Sequence, residues 1–145
     1  MARVRTITVK DVEQIAFCLA QETLDWGEPI PDFSTRFADR LESSLVVPFQ
    51  TFSKRKLYPT FLAQASALFY LMIKNHPFQN GNKRIAITTL LVFLARNRQW
   101  LEVSIQELYN FTVWVAESPA SLKDETMKAV EKFLKLNIVP LVSSA

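Results

Sequence analysis

The sequence predicts an all-α protein, a compact single-domain bundle of about six helices over residues 1–145. Apolar residues recur at helical spacing along most of the chain. The chain has only 2 glycines, which are too few for the tight hairpins of a β-rich protein. Its 145 residues, 49% of them hydrophobic, are enough for one domain with a core of its own.

The first two helices follow from their apolar spacing. Residues 8–11 resemble a capping box, and the apolar residues that follow are spaced for one helical face: Val12, Ile15, Ala16 and Leu19. This pattern predicts a helix over residues 9–24 that ends before the glycine and two prolines of residues 26–31. Cys18 falls on the apolar side and is predicted to be in the core. Aromatic and leucine residues four apart predict a shorter helix over residues 34–45.

The next segment changes character. Residues 46–52 are β-branched and aromatic around Pro48, which favours an extended, edge-like segment. From the residues alone, a plain connecting loop with a solvated charge run is favoured, and a hairpin with residues 53–56 as its exposed tip is the alternative.

Four helices complete the bundle. Tyr58 and Pro59 are predicted to start a helix with proline in its first turn, and Asn75 to end it. The helix that opens at Asn82 is apolar nearly all round to residue 94, so it is predicted to be central. A capping box at Ser104 predicts a helix to residue 116, and a last helix begins near residue 121. Residues 139–145 are predicted to be a frayed tail.

Composition limits the possible functions. The net charge is +3 and the pI about 9.1, but the basic residues are scattered, so no nucleic-acid surface is predicted. One cysteine and one histidine cannot build a Cys/His metal cluster. No signal peptide and no membrane-spanning stretch is indicated, so a cytoplasmic protein without membrane contact is expected.

The polar stretch of residues 76–84, between two apolar helices, is the candidate site. Asn80 and Gly81 tolerate positive φ, and Asn82 is the predicted N-cap of the next helix. Two cations, Lys83 and Arg84, oppose the helix dipole there, which favours a bound phosphate. His76 could act as a general base. The alternative is a capping histidine in a solvated turn.

Phe78 is the one aromatic residue of this stretch. It is predicted to insert into the core and so to hold the loop in place. An exposed aromatic side chain that recognises a ligand is the alternative.

The same stretch resembles the signature of the Fic/Doc family. The residues that match are His76, Phe78, Gly81, Asn82, Lys83 and Arg84. Lysine before the final arginine is typical of the Doc (death-on-curing) branch, whereas the Fic branch has glycine there. Residues 41–48, 57–59 and 90–94 are similar to the flanking stretches of Doc-like toxins, so the resemblance covers roughly residues 8–101.

This resemblance implies an enzyme that transfers the γ-phosphoryl group of ATP to a hydroxyl of a target protein, with elongation factor Tu as the expected target and blocked translation as the effect. His76 is the implied catalytic base, and the N–H groups around Gly81 and Asn82 bind phosphate. Arg84 neutralises charge and is the second catalytic residue, while Lys83 selects the γ-phosphoryl.

The resemblance also implies a metal ion and a contact with the target. Asn80 stands where many members have an acidic Mg²⁺ ligand, so it is a weak metal ligand, reached through ATP-bound Mg²⁺. The hairpin near residues 46–56 corresponds to a flap that holds the target by strand addition, with Phe49, Gln50 and Thr51 as contacts.

Two alternatives stay open: transfer of AMP, and a Doc-like binding protein with weak catalysis. The family's inhibitory helix motif lacks its last position at residues 121–126, so restraint by a Phd-like antitoxin is expected instead of self-inhibition. The sequence does not predict the oligomeric state.

Overall fold

The computed structural model describes residues 3–23 and 29–141. Its helices are α1 (Val9–Asp11), α2 (Phe17–Thr23), α3 (Ala38–Val46), α4 (Phe61–Lys74), α5 (Asn82–Arg96), α6 (Ile105–Glu117) and α7 (Lys123–Asn137). Its strands are β1 (Thr51–Phe52), β2 (Arg55–Lys56), β3 (Gln99–Leu101) and β4 (Ile138–Pro140). The helical class is confirmed, with small antiparallel strand pairs added. No helix in the described ranges is long and apolar enough to cross a bilayer.

The antiparallel pair α4 and α5 is the centre of the bundle. α4 packs against α3, α5, α6 and α7, and α5 also packs against the first helix and α6. Nearly all of α5 from Arg84 to Leu90 is buried, as its continuous apolar sequence predicts. The hydroxyl of Thr60 accepts a hydrogen bond from the Ala63 amide, so α4 begins at Phe61, two residues after the predicted start at Pro59.

The first helix contains a π turn that changes which residues are buried. α1, the π turn Val12–Ala16 and α2 are continuous to Thr23, which confirms the predicted helix within the described residues. A π turn adds one residue to the helical path, so the buried positions become Val12, Ala16, Phe17 and Ala20. Cys18 is exposed, and its predicted core position was wrong. Of the predicted stop at residues 26–31, residues 26–28 lie outside the described residues.

The segment predicted as a helix over residues 34–45 is divided. Asp32 accepts a hydrogen bond from the Ser34 amide and caps a 3-10 turn, Phe33–Thr35. Arg36 and Phe37 then have extended backbone, and α3 begins at Ala38. The extended segment expected from Val46 is also wrong over its first residues, because α3 and a 3-10 turn, Val47–Phe49, occupy them. Proline is acceptable in the first turn of that helix because it needs no amide hydrogen there.

The two strand pairs are small additions to the helical bundle, and Leu101 of β3 is buried in its core. β1 pairs with β2 around a turn at Ser53 and Lys54, so the predicted hairpin exists but is shorter. β3 pairs with β4 in the register Trp100 to Val139. The predicted frayed tail is therefore wrong for residues 139–140, since they pair with a strand that follows α5 directly. Residues 142–145 lie outside the described part.

The N-terminal segment is attached to the end of α5. Asp11 forms an ion pair with Arg96, with 2.7 Å between Oδ2 and Nη1. Asn97 accepts a hydrogen bond from the Arg5 amide at 2.8 Å. The hydrogen bond from Arg96 is the main cause that lowers the pKa of Asp11 from 3.8 to about 2.

Candidate functional site

The loop between α4 and α5 begins at a helix end in an unusual backbone conformation. Asn75 is the C-cap of α4, as predicted, and His76 follows with φ +47°. A residue at this position after a helix commonly adopts the left-handed conformation, but glycine or asparagine usually occupies it. The side chain of His76 is exposed, so the only histidine of the chain stands at the surface beside the loop.

Phe78 fixes the middle of the loop in the core. It is 4% exposed, and its ring lies 5.8 Å from the ring centroids of both Phe17 and Phe33. The predicted insertion of Phe78 into the core is therefore confirmed. This aromatic cluster anchors the loop in the core, while His76 remains at the surface.

Asn82 is the internal brace of the loop. Its Oδ1 accepts a hydrogen bond from the Phe78 amide at 2.9 Å, and its Nδ2 donates to the Phe78 carbonyl at 2.8 Å. The predicted N-cap role was wrong, because Gly81 is the N-cap and Asn82 is the first residue of α5. Its side chain closes the loop through these two hydrogen bonds. Its backbone amide is therefore the group that it contributes to the N-terminus of α5.

Both the backbone conformation at position 81 and the lack of room for a Cβ atom require glycine there. Its φ is +80°, and a Cβ atom there would lie 2.7 Å from Cγ1 of Ile30. The same Cβ position is 3.5 Å from Nη2 of Arg84. The guanidinium group of Arg84, 7% exposed, therefore lies close under the first turn of α5.

The first turn of α5 has a positive electrostatic character. Lys83 is partly buried and Arg84 is buried, and this turn contains no acidic residue. The first amides of a helix have no acceptor within the helix and carry the positive end of its dipole. The arrangement suits an anion, phosphate above all.

A face of α3 contacts the start of the loop. The Phe37 amide donates to the Pro77 carbonyl at 2.8 Å, and Nη1 of Arg40 donates to the His76 carbonyl at 3.4 Å. Sequence reasoning missed these residues. Nothing in the sequence indicated which loop they contact.

Whether the loop suits a divalent cation depends on Asn80. It is partly buried, and its side chain offers one neutral amide oxygen, a weaker Mg²⁺ ligand than a carboxylate. No group of three histidine, cysteine or acidic side chains suited to a metal occurs in the described ranges. The residues fit a magnesium ion only if nucleotide phosphates supply most of its ligands.

The hairpin residues do not join this site. Phe49 packs on Phe93 at 5.5 Å between ring centroids, and Phe93 packs on Phe61 at 5.3 Å. Phe61 begins α4, whereas His76 follows its end, and a helix of 14 residues is about 21 Å long. Phe49, Gln50 and Thr51 are therefore near the opposite end of the α4–α5 pair from the loop.

Two surface grooves also lie away from the loop. One of about 460 Å³ is lined by residues 100–104 and Val139. The other, of about 570 Å³, lies between residues 6–9 and the segment from Glu42 to Gln50. Neither includes a residue of the stretch 76–84.

The sequence model of the Fic/DOC family matches residues 6–94, more than half of the chain. The chain belongs to the Fic/DOC family. No curated protein matches it, and no solved structure does.

The match contains the Fic/DOC signature loop together with α3, α4 and most of α5, but it does not distinguish the Doc branch from the Fic branch. Fic/DOC proteins generally transfer nucleotide-derived groups to other proteins, typically from a nucleoside triphosphate with a divalent metal ion. They often occur in pairs of toxin and antitoxin.

Proposed function

We propose that this Fic/DOC protein is a Doc-type toxin that transfers the γ-phosphoryl group of ATP to a hydroxyl of a target protein, with elongation factor Tu as the expected target. One observation carries the proposal. An exposed histidine opens a loop that ends in a helix N-terminus with two cations. That combination supplies a base and a phosphate-binding turn on one loop.

His76 accepts the proton of the target's hydroxyl as the oxygen forms its bond to the γ-phosphorus. The bond from the γ-phosphorus to the bridging oxygen of the β-phosphate breaks, and ADP leaves with that electron pair. His76 then releases its proton to solvent. Because the side chain is exposed, a protein hydroxyl can approach it from outside.

The start of α5 binds the phosphates. The backbone amides at Gly81 and Asn82 face an anion at the helix terminus, and the buried Arg84 offsets negative charge from below the turn. Lys83 is the residue that orients the nucleotide for γ-transfer. Mg²⁺ bound to ATP neutralises phosphate charge, and Asn80 would be its weak protein ligand.

The test is transfer of label from ATP that is tagged in parallel at the α- and γ-phosphates, onto elongation factor Tu and a bacterial lysate. We expect γ-label on the target, and His76→Ala should abolish it. The matched control is Arg98→Ala, an exposed position after α5, which should keep full activity. Transfer of the α-label alone would instead show AMP transfer and contradict the Doc assignment.

Lys83→Gly tests the choice of transferred group. If Lys83 orients the nucleotide, this change lowers γ-transfer and allows α-label to appear on the same target. A variant that keeps γ-transfer unchanged contradicts the role of Lys83. If the unmodified protein transfers neither label and does not bind ATP, the chain is a binding protein, for which the neutral Asn80 is the supporting observation.

We also propose restraint in trans by a Phd-like antitoxin. The segment 121–126 lacks the last position of the inhibitory motif, so the chain has no complete internal restraint of that kind. Expression of the protein alone should arrest growth, and co-expression of an antitoxin encoded nearby should restore it, with His76→Ala as the non-toxic control. Cells that tolerate an active protein without any partner contradict this proposal.

A further inference from the structure

Three residues of the α3 region hold the turn after α4, and we name them the α3 clamp: Phe37, Arg40 and Ser44. Phe37 is the N-cap residue, with extended backbone, and Arg40 and Ser44 lie four residues apart on one face of α3. Their partners are three consecutive residues in reverse order. The Phe37 amide donates to the carbonyl of Pro77, Arg40 donates to that of His76, and Asn75 Nδ2 donates to Ser44 Oγ at 2.9 Å.

The residue at the centre of this turn is held in a disfavoured conformation. His76 has φ +47°, which costs a non-glycine residue on the order of 1–2 kcal/mol. It also precedes Pro77, and proline favours extended backbone at the residue before it. Such a conformation persists only where surrounding contacts determine it.

Arg40 is the clamp residue that contacts His76 itself. Its guanidinium group lies 4.3 Å from the ring centroid of Phe37, and its Nη1 reaches the His76 carbonyl at 3.4 Å. Stacking on the ring limits the positions of a long side chain, so the donor is directed at the carbonyl. At 3.4 Å this is a long hydrogen bond, and the ring stacking supplies the second contact that holds the side chain in place.

We propose that Arg40 is a positioning residue, which fixes the backbone of His76 and thereby the direction of its imidazole toward the phosphate-binding turn of α5. The catalytic part of this inference rests on the function proposed above. The structural part does not, because it concerns the conformation of one residue. Phe37 acts through the same contact, since its ring supports the guanidinium group.

The single histidine of the chain makes the structural part directly measurable. In NMR spectra, the Cα and Cβ shifts and the amide–Hα coupling of His76 report its φ, and its imidazole signals have no overlap from other histidines. Arg40→Ala should move these signals toward those of a negative φ or broaden them. Arg55→Ala, an exposed arginine in the distant hairpin, should leave them unchanged.

Two further variants should change the His76 signals by intermediate amounts. Arg40→Lys retains a charged donor and should restore part of the wild-type signals. Phe37→Leu removes the ring but keeps the amide that bonds to Pro77, so it should shift the His76 signals in the same direction as Arg40→Ala, though less. Thermal unfolding of each variant shows that the fold is retained, which is expected because the Arg40 side chain is exposed.

The transfer assay tests the catalytic part. Arg40→Ala should lower kcat for γ-label transfer by about 10- to 100-fold, since misplacement of a reacting group by about 1 Å has that effect, with KM for ATP nearly unchanged. Unchanged His76 signals in Arg40→Ala overturn the proposal, and so do altered signals with an unchanged kcat. If the wild-type protein has no transfer activity, the proposed function fails, and the NMR comparison still decides whether Arg40 holds His76.

Discussion

Replacing His76 by glycine should make the protein more stable and inactive at once. The residue lies at φ +47°, where a side chain costs on the order of 1–2 kcal/mol. Glycine removes this cost but adds about 0.5–1 kcal/mol of conformational entropy to the unfolded chain. The net gain therefore lies between about 0 and 1.5 kcal/mol, with about 0.5–1 kcal/mol at the centre of the range, because the exposed imidazole has little packing to lose.

A matched position exists at the end of α5. Arg98 follows the C-cap Asn97 in the same way that His76 follows the C-cap Asn75, and its φ is +62°. Arg98→Gly should therefore give a similar gain without loss of label transfer. His76→Ala should remove transfer but give no gain, since alanine keeps the strained conformation.

Urea unfolding and thermal unfolding measure the effect. A gain of about 0.5–1 kcal/mol raises Tm by about 2–4 °C in a chain of this size. The γ-label assay is run on the same samples. If Arg98→Gly is stabilised while His76→Gly is not, other interactions of His76 offset the cost of its positive φ. That result refutes the reasoning from its φ.

Three other changes test separate parts of the structure. Gly81→Ala should cost about 2 kcal/mol in urea unfolding, because its φ is positive and its Cβ would meet Ile30. The same change should cost less in an Ile30→Ala background than in the wild type, since the close contact is then absent; equal costs in the two backgrounds would contradict the contact. Asp11→Asn should cost about 1 kcal/mol at pH 7 after solvent screening of the pair with Arg96. Because the pKa of Asp11 is lowered to about 2, the difference from wild type should fade as the pH drops from about 4 through 2, whereas a constant difference would contradict the ion pair. Cys18 should react with a thiol reagent in the native protein, and reaction only after unfolding would restore the predicted core position.

Helices whose signals are local could be predicted from the sequence. The end of α4 at Asn75 and the buried character of α5 depend on caps and apolar periodicity within one segment. The first helix shows the limit of periodicity. Its π turn shifts the buried face by one residue, and no sequence signal marks that insertion, so Cys18 was assigned to the wrong side.

Contacts between distant segments could not be predicted. The strand pair β3–β4 joins residues about forty positions apart, and a window of the sequence cannot show that a short tail finds a partner. The same limit applies to the α3 clamp, which contacts the turn at His76 from more than thirty residues away. Order along the chain likewise does not tell which end of α4 the hairpin segment adjoins, and Phe49 packs near its beginning, on Phe93 beside Phe61.

The residues of the signature loop also fall into two groups with different roles. Phe78, Gly81 and Asn82 build the loop, through core insertion, a positive φ and a bridge between backbone groups. Such residues are needed for any chemistry performed on this loop, so their presence identifies the family without identifying the reaction. His76 and Lys83 keep side chains at least partly accessible to a substrate. Under the proposed function, the identity of the transferred group depends on few atoms, and we expect substitution at Lys83 to alter the reaction without dismantling the loop.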